Sequence, residues 1–245
     1  MAHIGSYSHI LGKKAYYDKH KPVLLLHCDG TTASQTFKDS SPSNHTVTAV
    51  SDTAVRNTAP LKFNGHAYFQ GTDDYLSIPD SANWNFGTGN LCIDFWVRTH
   101  IQVNDVGLLG QYDDDNNYFS LTMTDDGSDL TFSFHFSNAG SGSSLTTTAI
   151  SNVANPWYHV AVIRGWGGNA NDWSICVDGT SKVSGTKDYT LPDLDAILRV
   201  GSSYLVSESS YEYLNGYMDE IKIINGATPW IANFNVPPRP YTSWR

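Results

Sequence analysis

The chain has 245 residues and a formal net charge of −9, and 16% of its residues are charged, against roughly 25% in an average globular domain. An acidic chain with no dominant basic surface is not expected to bind nucleic acid or anionic membranes. All but three of its acidic residues are aspartate, which favours turns and calcium-binding loops over helices. The length suits a single all-β sandwich or barrel with a sizeable core.

The sequence contains no apolar stretch long enough to span a bilayer, so membrane insertion is not expected. Its first residues also lack the charged start and apolar run of a secretory signal. We therefore expect a chain that is already mature, or one that leaves the cell by another route such as lysis.

The first 21 residues differ from the rest, because four lysines outweigh one aspartate and no apolar periodicity is visible. One interpretation is a disordered start. The other is an arm that docks on an acidic or apolar groove of a partner protein. We predict an N-terminal arm over 1–21, one domain over 22–240 and a C-terminal tail over 241–245.

From Pro22 onward, short apolar runs alternate with turn residues, and no helical periodicity is visible. The predicted strands cover residues 23–28, 61–69, 75–78, 91–97, 106–111, 118–124, 130–136, 157–163, 173–177, 197–202 and 217–224. Many short strands with frequent turn signals predict an all-β fold, a two-sheet antiparallel sandwich or jelly roll. Three prolines near the end, Pro237, Pro238 and Pro240, exclude a paired strand there.

The three cysteines, Cys28, Cys92 and Cys176, each lie inside an apolar run. An odd number at core-like positions predicts buried thiols that act as small hydrophobic residues. A disulfide framework is not expected, so we predict folding in a reducing compartment.

Seven short segments carry a recognisable pattern when they are read in order. They are residues 24–30 (LLLHCDG), 39–41 (DSS), 74–81 (DYLSIPDS), 95–97 (FWV), 157–164 (WYHVAVIR), 177–179 (VDG) and 216–221 (GYMDEI). Together they resemble the laminin-G-like, concanavalin A-like lectin/glucanase jelly-roll family, in the form found in bacteriophage structural proteins. The resemblance covers about residues 22–240 and implies a jelly roll. It implies little about function, because this fold carries lectins, adhesion modules, glycosidases and inert spacers.

A glycoside hydrolase needs two carboxyl groups flanking the scissile bond. The glucanases of the resembled family take them from alternating acidic positions on one strand, and no such run is present. Asp219 and Glu220 form the only acidic pair that contains a glutamate, and adjacent strand residues point to opposite faces. We therefore predict that the chain is not an enzyme. His27 and His159 lie within predicted strands and are interpreted as structural.

Two aspartates are candidates for a structural Ca²⁺ site of the kind that the resemblance implies. Asp29 ends the first predicted strand and Asp219 begins a late one. Asp219 has the same parity as Ile221 and Ile223, so its carboxylate is expected to point inward and to need a compensating partner. We hypothesise that Asp29 and Asp219 bind calcium together with backbone carbonyls. The alternative is that both aspartates cap turns.

Two other acidic loops, residues 113–117 and 125–129, are interpreted as solvated turns, with calcium or sugar-hydroxyl binding as the alternative. Aromatic residues in two polar loops, 164–172 and 202–215, are better candidates for ligand binding. An exposed indole beside amide side chains suits the face of a sugar. The predicted ligand-binding residues are Trp166, Asn169, Asn171, Trp173, Tyr204, Tyr211 and Tyr213. The alternative is that these aromatics pack on the sandwich edge or on a neighbouring subunit.

Three functions remain in competition. The favoured one is a non-catalytic virion component of a phage capsid or tail, which displays a lectin-like sandwich and contacts other virion or surface proteins through residues 1–21. The second is a soluble secreted module that binds carbohydrate with calcium. The third, a glycoside hydrolase, is disfavoured by its missing carboxylates. The expected location is the virion or the extracellular space, glycans are candidate ligands, and a homo-oligomer is left open.

Overall fold

The computed structural model describes residues 20–100, 104–152 and 156–243. It confirms the predicted all-β, two-sheet antiparallel jelly roll. In chain order the strands are β1 (Leu24–Leu26), β2 (Thr48–Val50), β3 (Ala54–Arg56), β4 (His66–Gln70), β5 (Tyr75–Ile78), β6 (Leu91–Thr99), β7 (Asn104–Asp114), β8 (Asn117–Asp125), β9 (Asp129–Asn138), β10 (Ser141–Thr146), β11 (Ile150–Ser151), β12 (Tyr158–Arg164), β13 (Asp172–Val177), β14 (Thr180–Thr186), β15 (Leu198–Val200), β16 (Ser202–Leu205), β17 (Ser210–Tyr213) and β18 (Asn215–Asn225). Two single-turn 3-10 helices cover Ala82–Trp84 and Trp166–Gly168.

Two eight-stranded sheets pack face to face. Sheet 1 has the order β14-β13-β12-β6-β18-β4-β3, with β1 paired to β18. Sheet 2 has the order β10-β9-β8-β7-β15-β5-β2, with β11 paired to β9. Neighbours that are distant in sequence, such as β6 beside β18, produce the crossovers of a jelly roll.

Alternation along each strand decides which side chains enter the core. In β6, Ile93, Phe95 and Val97 belong to the core between the sheets, whereas Asp94 and Trp96 point to the opposite face. Period-two alternation is the geometric property of a pleated strand. Each large apolar side chain buried in this way contributes about 1.5–3 kcal/mol. The face of each sheet that points away from the core is called its outer face below.

A two-stranded ribbon, β16–β17, crosses the outer face of sheet 2, where the sequence predicted a loop over 202–215. The ribbon approaches β7 at Gly107, because a Cβ there would lie 2.1 Å from the backbone nitrogen of Ser203 and 2.5 Å from the carbonyl oxygen of Glu212. Ser120 of β8 adds a hydrogen bond of 2.8 Å between its hydroxyl and that of Ser203. The contact therefore depends on a missing side chain in β7.

The C-terminal segment, residues 226–243, covers part of the outer face of sheet 1 without forming a strand, as its prolines predicted. Trp230 stacks on Phe234 with ring centroids 3.9 Å apart, and both rings contact His159 edge-on. Tyr241 donates a hydrogen bond from its hydroxyl to Asp94 of β6. The boundary predicted at residue 240 therefore does not separate Tyr241 from the domain.

The three cysteines are free and buried, as predicted. The predicted arm lies outside the described residues except for its last two positions, His20 and Lys21. The ring of His20 contacts the C-terminal segment, with Nε2 3.0 Å from the carbonyl oxygen of Thr228. In the described part of the chain, no helix is long and apolar enough to cross a membrane.

Candidate functional site

A depression lies on the outer face of sheet 2, beside the ribbon. We call it the hydroxyl groove, and its volume is about 260 Å³. Its floor is formed by β8 and β9, and its wall by the ribbon and the turn that follows β16. The lining residues are Asp105, Tyr118, Ser120, Thr122, Thr124, Ser133, His135, Tyr204, Leu205, Val206 and Ser207.

Alternation in two neighbouring strands explains why the floor is rich in hydroxyl groups. In β8 the residues that enter the core are Phe119, Leu121 and Met123, so the intervening serine and threonines face outward. In β9 the four core residues are Leu130, Phe132, Phe134 and Phe136. The groove floor therefore presents a grid of hydroxyls that can each donate one hydrogen bond and accept others.

A cluster of tyrosines holds the wall in place. Tyr204 of the ribbon stacks on Tyr112 of β7 with ring centroids 3.7 Å apart and an angle of 25° between planes. Tyr211 meets both rings edge-on, and the guanidinium of Arg199 lies 3.9 Å from the centre of the Tyr211 ring. Offset stacking and cation–π contacts of this kind each add about 0.5–1.5 kcal/mol. The position of Tyr204 at the groove is therefore fixed by the ribbon and by β7 together.

The groove holds few charges. Burial lowers the pKa of His135, although Asp105 acts in the opposite direction, so the ring is neutral at pH 7. Burial raises the pKa of Tyr118, and Asp115 adds to the effect, so this hydroxyl stays protonated. The side chain of Asp105 is held by a hydrogen bond from the Thr124 hydroxyl. The groove is thus suited to a neutral, hydroxyl-rich ligand.

Three of the predicted ligand-binding residues lie elsewhere, on the loop between β12 and β13. Trp166 is half-buried and packs on the outer face of sheet 1 beside Trp230 and Phe234. The Asn169 amide donates to Asp172 at 2.9 Å and the Asn171 amide donates to Asp188 at 2.9 Å. This loop therefore packs against the sandwich and its own turn, which is the alternative given by the sequence.

Trp173 corrects the prediction most clearly, because it is fully buried. Its ring stacks across the neighbouring rings of Phe134 and Phe136 of sheet 2, with centroids 5.6 and 5.5 Å away. As the second residue of β13 it points into the core, so it cannot offer a face to a ligand. The prediction placed Trp173 at the start of the strand over 173–177 but still counted it among the ligand-binding residues of the neighbouring loop.

The predicted tyrosines divide between two places. Tyr204 lines the groove, and Tyr211 supports it through the contacts described above. Tyr213 lies on the same ribbon but faces Tyr75 of β5, at a centroid distance of 6.5 Å. The sequence analysis missed the groove floor, although the alternation of hydroxyl and apolar residues over 118–124 and 131–137 was a usable signal.

The two predicted calcium ligands lie close enough to influence each other. Asp219 is fully buried, and neither carboxylate oxygen has a hydrogen-bond partner of ordinary geometry among the described residues. Burial raises the pKa of Asp219 to about 9, and the nearby carboxylates of Glu220 and Asp29 add to the effect. Asp29 is exposed and contacts the Asn64 amide at 3.5 Å. Asp219 thus lacks the compensation that a buried carboxylate needs.

The prediction that the side chain of Asp219 points toward the core was wrong, although the side chain is buried. A β-bulge interrupts β18 after Asp219, and Glu220 takes a φ of 52°. The bulge moves Asp219 to the same face as its partner Trp96, whereas Ile221 and Ile223 enter the core. The carboxylate is therefore buried on the outer side of sheet 1.

Glu220 is engaged in a different network. One carboxylate oxygen lies 2.8 Å from Nδ1 of His27, and the other accepts a hydrogen bond of 2.7 Å from the backbone N–H of Tyr241. Glu220 is 1% exposed and Asp219 is 0% exposed, so a glycosidic bond cannot reach this acidic pair. His27 has the structural role that was predicted for it.

The other acidic loops form turns in which the carboxylates accept hydrogen bonds from backbone N–H groups of the same turn. Asp114 accepts a hydrogen bond of 2.7 Å from the backbone N–H of Asn116. Asp126 accepts two from the backbone N–H groups of Ser128 and Asp129, and these bonds lower its pKa. Among the residues that the structure describes, no group of three or more His, Cys, Asp or Glu side chains could hold a metal ion.

Comparison with known proteins agrees with this architecture. Residues 70–230 match the model of the concanavalin A-like lectin/glucanases superfamily. The chain belongs to this superfamily. The matched segment includes the whole hydroxyl groove and the ribbon. A search of curated proteins found no match.

Solved structures extend the likeness of this superfamily member to toxin domains. The binding domain of Paraclostridial mosquitocidal protein 1 is similar with a TM-score of 0.62 and 14% identity, over 86% of this chain and 50% of that one. The binding domain of botulinum neurotoxin DC, in complex with rat synaptotagmin II, has a TM-score of 0.60 and 12% identity, over 85% and 49%.

A third similar structure is of botulinum neurotoxin type C, a toxin whose cell entry depends on interaction with two ganglioside molecules. Its TM-score is 0.62 and its identity 15%, over 86% of this chain and 50% of that one. The chain therefore spans about half the length of these toxin domains. At such identities the likeness establishes the fold alone. This chain and the toxin domains share the lectin-like sandwich.

Proposed function

We propose that this domain binds carbohydrate without transforming it, and that the hydroxyl groove is the site. The observation that carries the proposal is the grid of outward serine, threonine, tyrosine and histidine side chains beside the fixed ring of Tyr204. Hydroxyls and a neutral imidazole match the alternating donors and acceptors of a sugar. An aromatic ring at the wall matches its apolar face.

The toxin domains support the proposal by analogy, since one of them acts with gangliosides and another was solved with a protein receptor. The absence of an accessible carboxyl pair at Asp219 and Glu220 supports a binding role rather than hydrolysis. A groove of about 260 Å³ accommodates a short glycan segment rather than a long polymer.

A glycan array followed by titration calorimetry on the best ligand tests the proposal. Tyr204→Ala should weaken binding by up to about tenfold, because stacking on one ring is worth about 0.5–1.5 kcal/mol. Tyr213→Ala is the matched control, since it removes a tyrosine from the same ribbon outside the groove. An array on which the wild-type protein binds no glycan would sink the proposal.

We propose further that Asp29 and Asp219 hold a structural calcium ion. The buried oxygens of Asp219 have no hydrogen-bond partner of ordinary geometry among the described residues, and only the backbone N–H groups of Glu220 and Phe63 oppose the rise in the pKa of this carboxyl, so these oxygens fit such a role. The carbonyl oxygen of Cys28 and Oδ1 of Asp29 lie together beside Gly65, 3.0 and 3.4 Å from the place of a Cβ. These oxygens are the hard ligands that Ca²⁺ prefers. The ion would neutralise the buried carboxylate and tie β1 to β18.

A role as a virion component remains a prediction that depends in part on residues 1–21, of which only His20 and Lys21 belong to the described chain. Copurification of the protein with particles would support it, whereas recovery as a soluble protein from the medium would support the secreted module. Light scattering on the purified chain decides whether it forms a homo-oligomer.

A further inference from the structure

A second depression lies on the outer face of sheet 1, on the opposite side of the sandwich from the hydroxyl groove. We call it the basic pocket. It has a volume of about 250 Å³ and is lined by Arg56, Thr58, Ala59, His66, Tyr68 and Tyr217. Its side chains come from β3, β4 and β18, which are neighbours in sheet 1. Nothing in the proposed carbohydrate site uses these residues.

Strand register brings the pocket together. Tyr68 of β4 is paired with Tyr217 of β18, which is paired in turn with Arg98 of β6. Arg56 of β3 is paired with His66 of β4. Directly opposed residues of antiparallel strands share a face, so all five side chains lie on the outer face.

His66 is the unusual residue in this set. It is fully buried, and neither of its ring nitrogens has a hydrogen-bond partner among the described residues. Burial lowers the pKa of His66 to about 4, and the charges of Arg56 and Arg98 add to the effect. A neutral imidazole still carries one N–H donor, and a buried donor without an acceptor costs about 1–3 kcal/mol. The pocket therefore lacks an acceptor at His66.

The two arginines also lack a counter-charge. The three ion pairs within the described residues join His27 to Glu220 and join Asp94 to His159 and Lys222, so none involves Arg56 or Arg98. The Nε atom of Arg98 is buried without a hydrogen-bond partner in the same part of the chain. A pair of arginines without carboxylates is notable in a protein of net charge −9. Guanidinium groups match carboxylates in a bidentate geometry.

Aromatic rings complete the walls. The rings of Tyr68 and Tyr217 lie 5.4 Å apart, and Tyr217 meets His66 edge-on at 4.6 Å. Trp157 lies 5.8 Å from His66, and its indole N–H is buried without a partner among the described residues. The hydroxyl of Tyr217 is held 3.0 Å from Nε2 of His100. These rings offer apolar surface next to the donors.

We propose that the basic pocket binds an acidic sugar, whose carboxylate lies beside Arg56 and His66 and is attracted by the charge of Arg98 behind Tyr217, and whose ring packs against Tyr68 and Tyr217. A carboxylate supplies the acceptor that the imidazole lacks and the counter-charge that the two guanidinium groups lack. The volume, about 250 Å³, admits a sugar ring or a short glycan segment rather than a long polymer. The site is separate from the hydroxyl groove, so the two proposals succeed or fail independently.

Titration calorimetry with three probes tests the carboxylate and the ring separately. Glucuronate should bind, whereas glucose, which has the same ring without the carboxylate, should bind at least tenfold more weakly. Inorganic phosphate supplies charge without the ring and should also bind at least tenfold more weakly. Equal binding of glucose or of phosphate, or no detectable binding of glucuronate, would overturn the proposal.

Variants locate the site. Arg56→Gln should weaken glucuronate binding about tenfold or more, since it removes a charge-assisted hydrogen bond. Arg239→Gln, which changes an exposed arginine of the C-terminal segment, is the control and should have no effect. His66→Phe removes the N–H donor of the ring. If that variant does not fold, His66→Gln, which keeps a side-chain N–H donor, is measured in its place. Loss of glucuronate binding in Tyr204→Ala would place the ligand in the hydroxyl groove and contradict the proposal.

Discussion

The hydroxyl of Tyr241 donates a hydrogen bond to Oδ1 of Asp94, and this contact joins the end of the described chain to the middle strand of sheet 1. The other oxygen of Asp94 lies 3.2 Å from Nζ of Lys222, and His159 lies 3.5 Å from Oδ1. Asp94 and His159 are fully buried. A buried charge of this kind is stable only when its partners are complete.

Removal of the Asp94 charge should destabilise the fold in a pH-dependent way. Burial opposes ionisation, but Lys222, His159 and Tyr241 together lower the pKa of Asp94 below its unfolded value of 3.8. Its contribution is therefore present above about pH 4 and is lost as the pH falls through the folded pKa. Asp94→Asn should cost about 3–5 kcal/mol at pH 7, because it leaves Lys222 buried without a carboxylate.

Chemical denaturation at pH 7, 5 and 3 measures this effect. The difference between the wild-type protein and Asp94→Asn should shrink at pH 3. Asp80→Asn, at an exposed position after β5, is the control and should change little at any pH. A constant difference from pH 7 to pH 3 would show that the Asp94 charge does not anchor the C-terminal segment.

Addition of one methyl group at Gly107 should displace the ribbon. The Cβ of Gly107→Ala would lie 2.1 Å from the backbone nitrogen of Ser203, so the ribbon must move. We expect a loss of about 1–3 kcal/mol in the free energy of unfolding, as for an overpacked site, together with loss of glycan binding. Chemical denaturation measures the free energy of unfolding, and titration calorimetry measures glycan binding. Gly185→Ala, where a Cβ meets nothing within 4 Å, should change neither.

Substitution of Trp166, in the loop between β12 and β13, and of Trp173, in β13, should have different effects on stability. Trp173→Ala removes a fully buried ring and should cost about 3–5 kcal/mol. Trp166→Ala removes a half-buried ring and should cost less, with no effect on glycan binding. Thermal denaturation and the glycan array measure these effects. Loss of glycan binding in a stable Trp166→Ala variant would move the carbohydrate site to that loop.

Calcium should stabilise the protein through Asp219. We expect the melting temperature to rise when CaCl₂ replaces EDTA, because the ion compensates the buried carboxylate. Asp219→Asn should abolish the rise, and without metal it should be about as stable as the wild-type protein at pH 7, because burial raises the pKa of Asp219 to about 9 and leaves this side chain neutral in the metal-free protein. Asp80→Asn should keep the full rise. If the wild-type protein shows no rise and elemental analysis finds no calcium, the metal proposal is wrong.

Short apolar runs separated by turn residues were enough to predict the fold, and alternation within the strands explains which of their side chains enter the core. In β6, every second residue from Leu91 to Val97 is apolar and enters the core, as a pleated strand requires. The same signal was present in β8 and β9, where it also marks the groove floor. Local pattern succeeds here because each strand has one face in the core and one face outside.

The orientation of Asp219, the path of the ribbon and the basic pocket could not be predicted from the sequence, because each depends on contacts between distant segments. The bulge at Glu220 reverses the parity on which the prediction for Asp219 rested. The ribbon crosses sheet 2 because Gly107 leaves room for Ser203, ninety-six positions later in the numbering. Arg56, His66 and Arg98 come to one face only after four strands, β3, β4, β18 and β6, have paired.

The attachment of the ribbon through backbone atoms at Gly107 has a consequence for how this domain can change. The turn at the end of the ribbon, residues 206–209, is at the surface and contributes Val206 and Ser207 to the groove wall. Substitutions there alter the wall without touching the anchor or the core. The domain can therefore acquire new ligand preferences at this turn while its folding stability stays the same, as a scaffold with one replaceable loop does.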